Sequence, residues 1–328
     1  MEYNFPTWAY FAVFLTASAA SAGTSLFWIK RARSWGLVDK PGHRKIHSAP
    51  IPLAGGLIVA TGLILPLFVA IFLVEISILG PTLTELSTYG LSERTTQLGG
   101  LVIGALGMLG LGLYDDRTPL SAGKKLAFQF LIAVMVAWTG TRITLFIPNI
   151  LFSYGVTVLW FLMLVNAFNF TDNMNGLCTG LGAISAFILS VHSALPEHYL
   201  VASLGFLVTG SLFGFLPTNY PKAKTFLGDS GSHLVGYLIA ALAILPHFHH
   251  GAQPNKFGVI SPLLILGVVF IDLCWVVSFR LWHGKPIYIG DTNHLSHQLV
   301  KRGFSTSQAV LILWGLHAAI AASSFFLI

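Results

Sequence analysis

Residues 97–125 read QLGGLVIGALGMLGLGLYDDRTPLSAGKK, and they show the pattern that decides the fold. The first 18 of them, 97–114, carry no charge, whereas the next three are Asp115, Asp116 and Arg117. A helix rises about 1.5 Å per residue, so roughly 20 apolar residues cross the hydrocarbon core of a bilayer. The stretch therefore predicts a membrane-spanning helix that delivers two adjacent carboxylates to the membrane surface.

The same pattern of long apolar runs and short polar loops extends over the whole chain of 328 residues. Apolar residues make up 55% of it and charged residues only 9%, whereas soluble domains carry about 25% charged residues. This composition excludes a soluble enzyme, a disordered chain and a disulfide scaffold. We predict an all-α integral membrane protein, one domain over 1–328 with about ten transmembrane helices. The predicted spans are 8–29, 51–75, 97–114, 125–143, 151–167, 176–194, 198–216, 231–248, 259–282 and 307–328.

The basic residues assign a side of the membrane to each loop. With the N-terminus outside, 15 of the 18 Lys and Arg fall in five inner loops or at the adjoining span ends. Cytoplasmic loops are rich in Lys and Arg, so we expect these loops in the cytoplasm and both termini outside. The first span is predicted to be an uncleaved helix, not a signal peptide. The five inner loops are 30–50, 115–124, 168–175, 217–230 and 283–306.

The net charge of +6 is therefore a signal of orientation, which leaves no reason to expect nucleic acid as a partner. The acids divide by type: every loop aspartate is cytoplasmic and every glutamate lies outside. Aspartates gathered on one face indicate a site for metal and phosphate. Only Asp272 lies within a span, and no inverted repeat is evident, so a secondary transporter is the disfavoured alternative from another class.

Two inner loops are rich in oxygen ligands. Asp115 and Asp116 end an apolar helix, where a carboxylate pair is costly unless it is paired or binds a cation such as Mg²⁺. The run 166–176 has four asparagines, one aspartate and no basic residue, which favours binding of a cation, base or sugar over a simple turn. The glycine run 100–112 is interpreted as helix packing, because no strand precedes it as in a dinucleotide-binding loop.

The first and fourth inner loops allow two interpretations each. The basic loop around Lys45, taken alone, is more typical of a membrane anchor than of a phosphate site. The sequence Gly-Asp-Ser-Gly-Ser at 228–232 is predicted to open the eighth helix, with Asp229 and Ser230 as caps. The backbone N–H groups at that helix start could also hold phosphate.

Histidines and one further charge pair complete the candidates. His294 and His297 lie one helical turn apart in the fifth loop, and phosphate contact is favoured over zinc because no third ligand of the usual kind is near. Asp272 and Arg280 lie eight residues apart, on nearly the same face of one helix. We interpret them as a buried structural pair, with a place in the cleft lining as the alternative.

Taken in order, the five loops resemble those of the polyprenyl-phosphate N-acetylhexosamine-1-phosphate transferases. The resemblance covers nearly the whole chain, and the motifs occur in the right order on the predicted cytoplasmic side. The peptidoglycan enzyme phospho-MurNAc-pentapeptide transferase is a relative of this family. The matching positions are Arg44, Lys45 and His47; Asp115, Asp116 and Lys125; Asn166, Asn169 and Asp172; Gly228 to Ser232; and His294 and His297.

Two positions depart from the pattern of the family. Asn175 stands where bacterial members usually have a second aspartate, and Ser296 replaces the middle histidine of the last motif. The absence of the triple-histidine loop argues against the peptidoglycan branch, so phospho-MurNAc-pentapeptide transferase is kept as the alternative within the enzyme class.

The resemblance implies a phosphoryl transfer by cytoplasmic catalytic loops of a multi-pass protein in the bacterial inner (plasma) membrane. Undecaprenyl or a similar polyprenyl phosphate attacks the β-phosphorus of a UDP-N-acetylhexosamine, in first place UDP-GlcNAc, and UMP leaves. The product starts a lipid-linked cell-surface polysaccharide. The implied cofactor is Mg²⁺, with Mn²⁺ as an alternative. The two substrates and the membrane are the implied partners, and a homodimer is left open.

The resemblance also implies roles for single side chains. Asp229 is the first choice as metal ligand and Asn169 the second. Asp115 and Asp116 would position the lipid phosphate, and one of them is a candidate base, although a phosphate monoester of pKa about 6 is mostly dianionic already. The other catalytic candidates are Asp172, Lys125, His294 and His297. The other substrate-binding candidates are Lys45, Asn166, Asn175, Asn219 and Phe226, the last two beside the uracil.

Overall fold

The structure, a computed structural model, describes residues 6–41, 49–76, 94–144, 147–246, 260–288 and 291–327. Almost all regular structure in these residues is helical. The helices are α1 (Thr7–Ser34), α2 (Gly55–Glu75), α3 (Thr95–Arg117), α4 (Ala122–Trp138), α5 (Ile150–Thr171), α6 (Leu177–Ala194), α7 (Tyr199–Asn219), α8 (Gly228–Ile244), α9 (Ser261–Ile265), α10 (Gly267–Trp282), α11 (Leu295–Lys301) and α12 (Thr306–Ser323), followed by a 3-10 turn (Ser324–Leu327).

Each predicted span coincides with a helix. Seven helices in the described residues, α1, α2, α3, α5, α6, α7 and α12 with its 3-10 turn, are long and apolar enough to cross a membrane. The fourth and eighth predicted spans are helices α4 and α8, of 17 residues each. The ninth is broken at Leu266 into α9 and α10, a break that its continuous apolar composition did not indicate. The chain is an all-α integral membrane protein.

Helix α8 is the central helix of the bundle. Between Ser230 and Ile244 only Leu238 is not fully buried, and α8 packs against α2, α3, α5 and α6. A helix that is buried on all sides is expected in the core of a bundle, since it has no face left for water or lipid. Because the 228–232 motif forms its first turn, the motif lies where the neighbouring helices converge.

Glycines allow this convergence. A Cβ atom on Gly112 of α3 would overlap the backbone of Asp229 and Ser230 in α8. Gly100 and Gly104 likewise lie directly against neighbouring side chains. The packing role predicted for the glycine run is confirmed at these three positions, and the whole run lies inside helix α3.

A short antiparallel sheet closes the first inner loop, and a separate bridge beside it joins this loop to the fourth. Strand β1 (Val38–Asp39) pairs with β2 (Ile51–Pro52), and Leu53 bridges to Phe226. Strands of two residues are too short to leave a periodic signal, and the sequence did not predict them. The sheet holds the start of α2 beside the start of α8.

Candidate active site

Asp116, the second acid of the pair at the end of α3, caps helix α8. Its Oδ1 accepts a hydrogen bond from the backbone N–H of Asp229 at 2.8 Å, and its Oδ2 accepts one from Ser230 at 3.1 Å. The first N–H groups of a helix have no partner within the helix, and a carboxylate there also interacts favourably with the helix dipole. The prediction that Asp229 and Ser230 are the caps is wrong, because the cap comes from another helix. Two of the backbone N–H groups at this helix start, which were considered as a phosphate site, are therefore already occupied.

Lys125 joins the first acid of the pair to the 228–232 motif. Its Nζ lies 2.6 Å from Oδ2 of Asp115 and 3.2 Å from Oδ2 of Asp229. Asp115 also accepts a hydrogen bond of 2.6 Å from the backbone N–H of Leu120. The side chain of Asp115 is 4% exposed, whereas that of Asp229 is 31% exposed. Asp229 is therefore the carboxylate of this trio that a ligand reaches most easily.

Helix α5 contributes an amide to the same place. Nδ2 of Asn169 donates to Oδ1 of Asp229 at 2.7 Å and to Oγ of Ser232 at 2.9 Å. Each oxygen of Asp229 thus faces a donor, Asn169 on one side and Lys125 on the other. The structure brings together three of the predicted site residues from helices α4, α5 and α8.

Asp172 follows α5 and adds a fourth carboxyl group. Burial, followed by the negative charges of Asp229 and Asp116, raises the pKa of Asp172 to about 8, against the effect of a hydrogen bond with the backbone of Gly228. The raised pKa reflects burial first and the neighbouring carboxylates second, and a bound cation would relieve this second contribution.

This cluster fits a divalent cation in charge and in donor chemistry. Mg²⁺ prefers carboxylate and carbonyl oxygens, with water or substrate phosphate in its remaining positions. Within the described residues, no group of three or more His, Cys, Asp or Glu side chains already forms a metal cage. A cation held mainly by Asp229 and by substrate oxygens agrees with both observations.

Asn219, Asn175 and Phe226 lie where the third and fourth inner loops meet. Oδ1 of Asn219 accepts from Gly176 N at 2.9 Å and from Thr179 Oγ1 at 3.1 Å, and its Nδ2 donates to Thr225 O. Nδ2 of Asn175 donates to the carbonyl of Pro221. Phe226 is half-buried. Both asparagines join loops in this structure, and contact of the three residues with uracil or sugar stays a prediction.

Asn166 belongs to a buried polar chain whose other members, Gln129 and His233, were not indicated by any sequence motif. Nδ2 of Asn166 donates to Oε1 of Gln129 at 2.8 Å, and Nε2 of Gln129 lies 3.4 Å from Nε2 of His233. Gln129 and His233 are 0% and 1% exposed. Each lies four residues after a site residue, Lys125 and Asp229, so helical spacing was the available signal. Asn166 uses its amide in this chain, and its contact with substrate stays a prediction.

The fifth inner loop is held by residues of α10. Nδ1 of His294 lies 2.7 Å from Oδ2 of Asp272, and Nε of Arg280 donates to Oδ2 of Asp291 at 3.0 Å. Asp272 and Arg280 are both buried, as predicted, but the predicted pairing between them is wrong. They lie two turns apart along α10, and each instead meets a residue of the loop that folds back on the helix.

The same loop reaches α5 and the third loop. The guanidinium carbon of Arg280 lies 5.0 Å from the ring centroid of Phe170, and the Phe170 ring meets that of His294 edge-on at 6.3 Å. Oγ of Ser296 donates to Oδ1 of Asn173 at 2.7 Å. Because Phe170 lies next to Asn169 in α5, these contacts tie the fifth loop to the helix that carries Asn169.

His297 is half-buried, one turn after His294, and the two ring centroids are 6.3 Å apart. Burial, and then the neighbouring His294, lower the pKa of His297. The remaining candidates, Arg44, Lys45 and His47, lie outside the described residues. With these exceptions the predicted site residues gather at one end of the bundle, although they come from separate loops.

Comparison with known proteins gives a consistent family. The model of the glycosyl transferase family 4 matches residues 98–247, which contain the Asp115–Asp116 pair and the 228–232 motif. A probable undecaprenyl-phosphate N-acetylglucosaminyl 1-phosphate transferase of Bacillus subtilis is 30% identical over 287 residues, or 85% of this chain and 74% of that protein.

Two further relatives carry similar names. A decaprenyl-phosphate N-acetylglucosaminephosphotransferase of Mycobacterium tuberculosis is 34% identical over 325 residues, which cover 89% of this chain and 76% of that protein. An undecaprenyl-phosphate alpha-N-acetylglucosaminyl 1-phosphate transferase of Escherichia coli is 25% identical over 308 residues, or 90% and 77% of the two chains.

Proposed function

The chain belongs to the glycosyl transferase family 4, and from this premise we propose that it transfers GlcNAc-1-phosphate from UDP-GlcNAc to a polyprenyl phosphate and releases UMP. The names of the relatives support both substrates. The single observation that carries the proposal is the cluster in which Lys125 bridges Asp115 and Asp229 while Asn169 and Asp116 hold Asp229 from its other sides.

Such a cluster suits phosphoryl transfer, which needs positioning and neutralisation of charge more than covalent chemistry. The side chains arrive on α3, α4, α5 and α8, and rigid helices position a site better than loops do. Asp116 fixes the first turn of α8, and that turn in turn fixes Asp229.

Mg²⁺ is the proposed cofactor, with Asp229 as its principal protein ligand and Asn169 as the second. When bound, it would neutralise charge on the diphosphate and on the departing UMP. Lys125 shares this electrostatic role, since its ammonium lies within 3.2 Å of both Asp115 and Asp229.

The acceptor needs little help to become a nucleophile. A phosphate monoester is mostly dianionic at neutral pH and needs no base to remove a proton. We therefore assign Asp115 and Asp116 to positioning of the lipid phosphate and not to general base catalysis. Both oxygens of Asp116 already accept backbone N–H groups, which agrees with a fixed, positioning role. His294 and His297 are assigned to the sugar-phosphate side.

We assign the site to the cytoplasmic face of a bacterial plasma membrane. The positive-inside pattern supports this orientation. Contacts between the segments support their placement on one shared side of the membrane: Phe226 pairs with Leu53, Asp116 with Asp229, and Asn173 with Ser296.

Isotope exchange tests the reaction type. Because one phosphoanhydride is broken and another is made, the chemical step should lie near equilibrium and run backwards. Labelled UMP, added with lipid-linked product to the purified protein, should enter UDP-GlcNAc in a Mg²⁺-dependent manner. A secondary transporter would give no exchange, and a hydrolase would release sugar phosphate without a lipid acceptor.

A comparison of donors tests the sugar. UDP-GlcNAc should support turnover and UDP-MurNAc-pentapeptide should not. Turnover with UDP-MurNAc-pentapeptide alone would favour the peptidoglycan enzyme, the second candidate from the sequence. The Asp229→Asn variant, purified in the same way, serves as the inactive control for both assays.

A further inference from the structure

Asp272 is a carboxylate buried in the middle of α10, with only 4% of its surface exposed. A charge within a membrane-spanning region is costly, and it persists where specific partners meet it. Both of its oxygens are used: Oδ2 lies 2.7 Å from Nδ1 of His294, and Oδ1 accepts the backbone N–H of Leu295 at 2.7 Å. The carboxylate therefore contacts two consecutive residues, His294 and Leu295, at the start of α11.

This contact fixes the chemical form of the His294 ring. A carboxylate can only accept a hydrogen bond, so Nδ1 must carry the hydrogen. Nε2 is then the one ring nitrogen left for a substrate. The ring is also fixed in space, because His294 is 4% exposed and meets the edge of Phe170, the residue after Asn169.

We infer that Asp272 is a positioning residue for the transfer reaction: it holds His294 with hydrogen on Nδ1 and presents Nε2 to a phosphate oxygen of the nucleotide sugar. The inference rests on the proposed function, because it takes the nucleotide sugar as the ligand. Asp272 touches no substrate itself and acts through His294. A phosphate oxygen accepts a hydrogen bond, so Nε2 contacts it as a donor from a ring that carries hydrogen on both nitrogens, and Asp272 is the acceptor for the hydrogen on Nδ1.

The alternative is that Asp272 only anchors the loop. The two roles can be compared experimentally, because a second hydrogen bond anchors the same loop and does not involve Nδ1 of His294. Oγ of Ser296 donates to Asn173 at 2.7 Å, two residues from His294. Ser296→Ala therefore removes only an anchor of the loop, whereas Asp272→Asn changes the group that faces Nδ1 of the His294 ring. The substitution puts an NH₂ group where one of the two accepting oxygens stood, so either Nδ1 of His294 or the N–H of Leu295 then faces a donor.

The test uses the full-length protein in detergent with ¹⁵N-labelled histidine. In the wild type, the ¹⁵N shifts of His294, assigned from a His294→Gln spectrum, should show hydrogen on Nδ1, and UDP-GlcNAc should move the Nε2 signal. In Asp272→Asn, hydrogen should leave Nδ1 or the Nε2 response should vanish. The kcat/KM for UDP-GlcNAc should fall about 10- to 100-fold, the range seen when a carboxylate that orients a metal-binding histidine is removed. Ser296→Ala should stay near wild type in both measurements.

Combination with His294→Gln adds a readout that simple destabilisation would not give. If Asp272 acts through His294, the double variant should be no less active than His294→Gln alone. Equal losses in Ser296→Ala and Asp272→Asn, or additive losses in the double variant, would overturn the inference. So would an unchanged Nε2 response in Asp272→Asn.

Should Asp272→Asn fail to fold, Asp272→Glu gives the same test. It keeps the acceptor but displaces the ring, so hydrogen should stay on Nδ1 while kcat/KM for UDP-GlcNAc falls. Unchanged kinetics in this variant would contradict the inference. Failure of the proposed function would give a different result. In that case the wild-type protein would show no UMP exchange, and UDP-GlcNAc would leave the His294 signals unmoved.

Discussion

The carboxylate of Asp116 receives the backbone N–H of Asp229 at 2.8 Å, although the two residues lie 113 positions apart in the chain. Through this bond the last turn of α3 fixes the first turn of α8, and with it the carboxylate that we assign to Mg²⁺. The acidic pair and the Gly-Asp-Ser-Gly-Ser motif are thus parts of a single structural unit.

Asp116→Asn should weaken this unit. The amide replaces one accepting oxygen by an NH₂ group, which then opposes the N–H of Asp229 or Ser230. An unsatisfied buried donor costs about 1–3 kcal/mol, so the thermal midpoint in detergent should fall. Forward transfer and reverse UMP exchange should fall together, since both pass through one transition state. A thermal midpoint and a transfer rate equal to those of the wild type would argue against a positioning role.

Asp229→Asn should retain the fold and lose turnover. The change is isosteric and the side chain is 31% exposed, so the thermal midpoint should stay close to that of the wild type. Loss of one preorganised charge typically lowers rates about 100-fold or more. Turnover measured over a Mg²⁺ titration, with EDTA as the metal-free limit, is the check. Near-normal activity at limiting Mg²⁺ would remove Asp229 as the ligand.

Gly112→Ala should separate α3 from α8. A Cβ atom there would overlap the backbone of Asp229 and Ser230, whereas a Cβ atom on Gly110 would meet no neighbour within 4 Å, which makes Gly110 a matched control on the same helix. Gly112→Ala should lower both the thermal midpoint and the UMP exchange rate. Gly110→Ala should leave both near wild type. Similar behaviour of the two variants would contradict the close packing.

Gln129→Leu should expose the role of the buried polar chain. It leaves Asn166 and His233 without the partner that joins them, at a cost of about 1–3 kcal/mol for each unsatisfied group. The double variant Gln129→Leu with His233→Leu removes two polar partners together and should recover part of the lost stability. Thermal midpoints of the single and double variants decide this, and a purely additive result would mean that the two side chains do not interact.

Membrane orientation can be tested by cysteine labelling. Cys178 is buried, so a Cys274→Ser background leaves no exposed native thiol. An impermeant maleimide should label Leu195→Cys, 61% exposed between α6 and α7, in intact cells. Lys222→Cys, in the fourth inner loop, should react only after lysis. Labelling of Lys222→Cys in intact cells would show that the opposite topology is correct.

Much of this protein follows from local sequence patterns. Apolar runs such as 97–114 locate the helices because crossing a bilayer requires a fixed length of apolar residues. Asp115 and Asp116 were identified because a carboxylate pair at a span end is costly without a partner, whereas the resemblance to the family implied the roles of Asn169 and Asp229. Gln129 and His233 were missed, because the signal for each was a helical spacing of four residues from Lys125 or Asp229 and not a motif of its own.

The sequence by itself therefore determined the helices, the loops and the residue types of the site. Only the tertiary structure decided which partner each charge takes. Asp272 and Arg280 share a helix face, yet they bind His294 and Asp291, and Asp116, not a residue of α8, caps that helix. The physical reason is range: helix periodicity and hydropathy act over a few residues, whereas ion pairs and caps depend on distances that are set only when the helices pack.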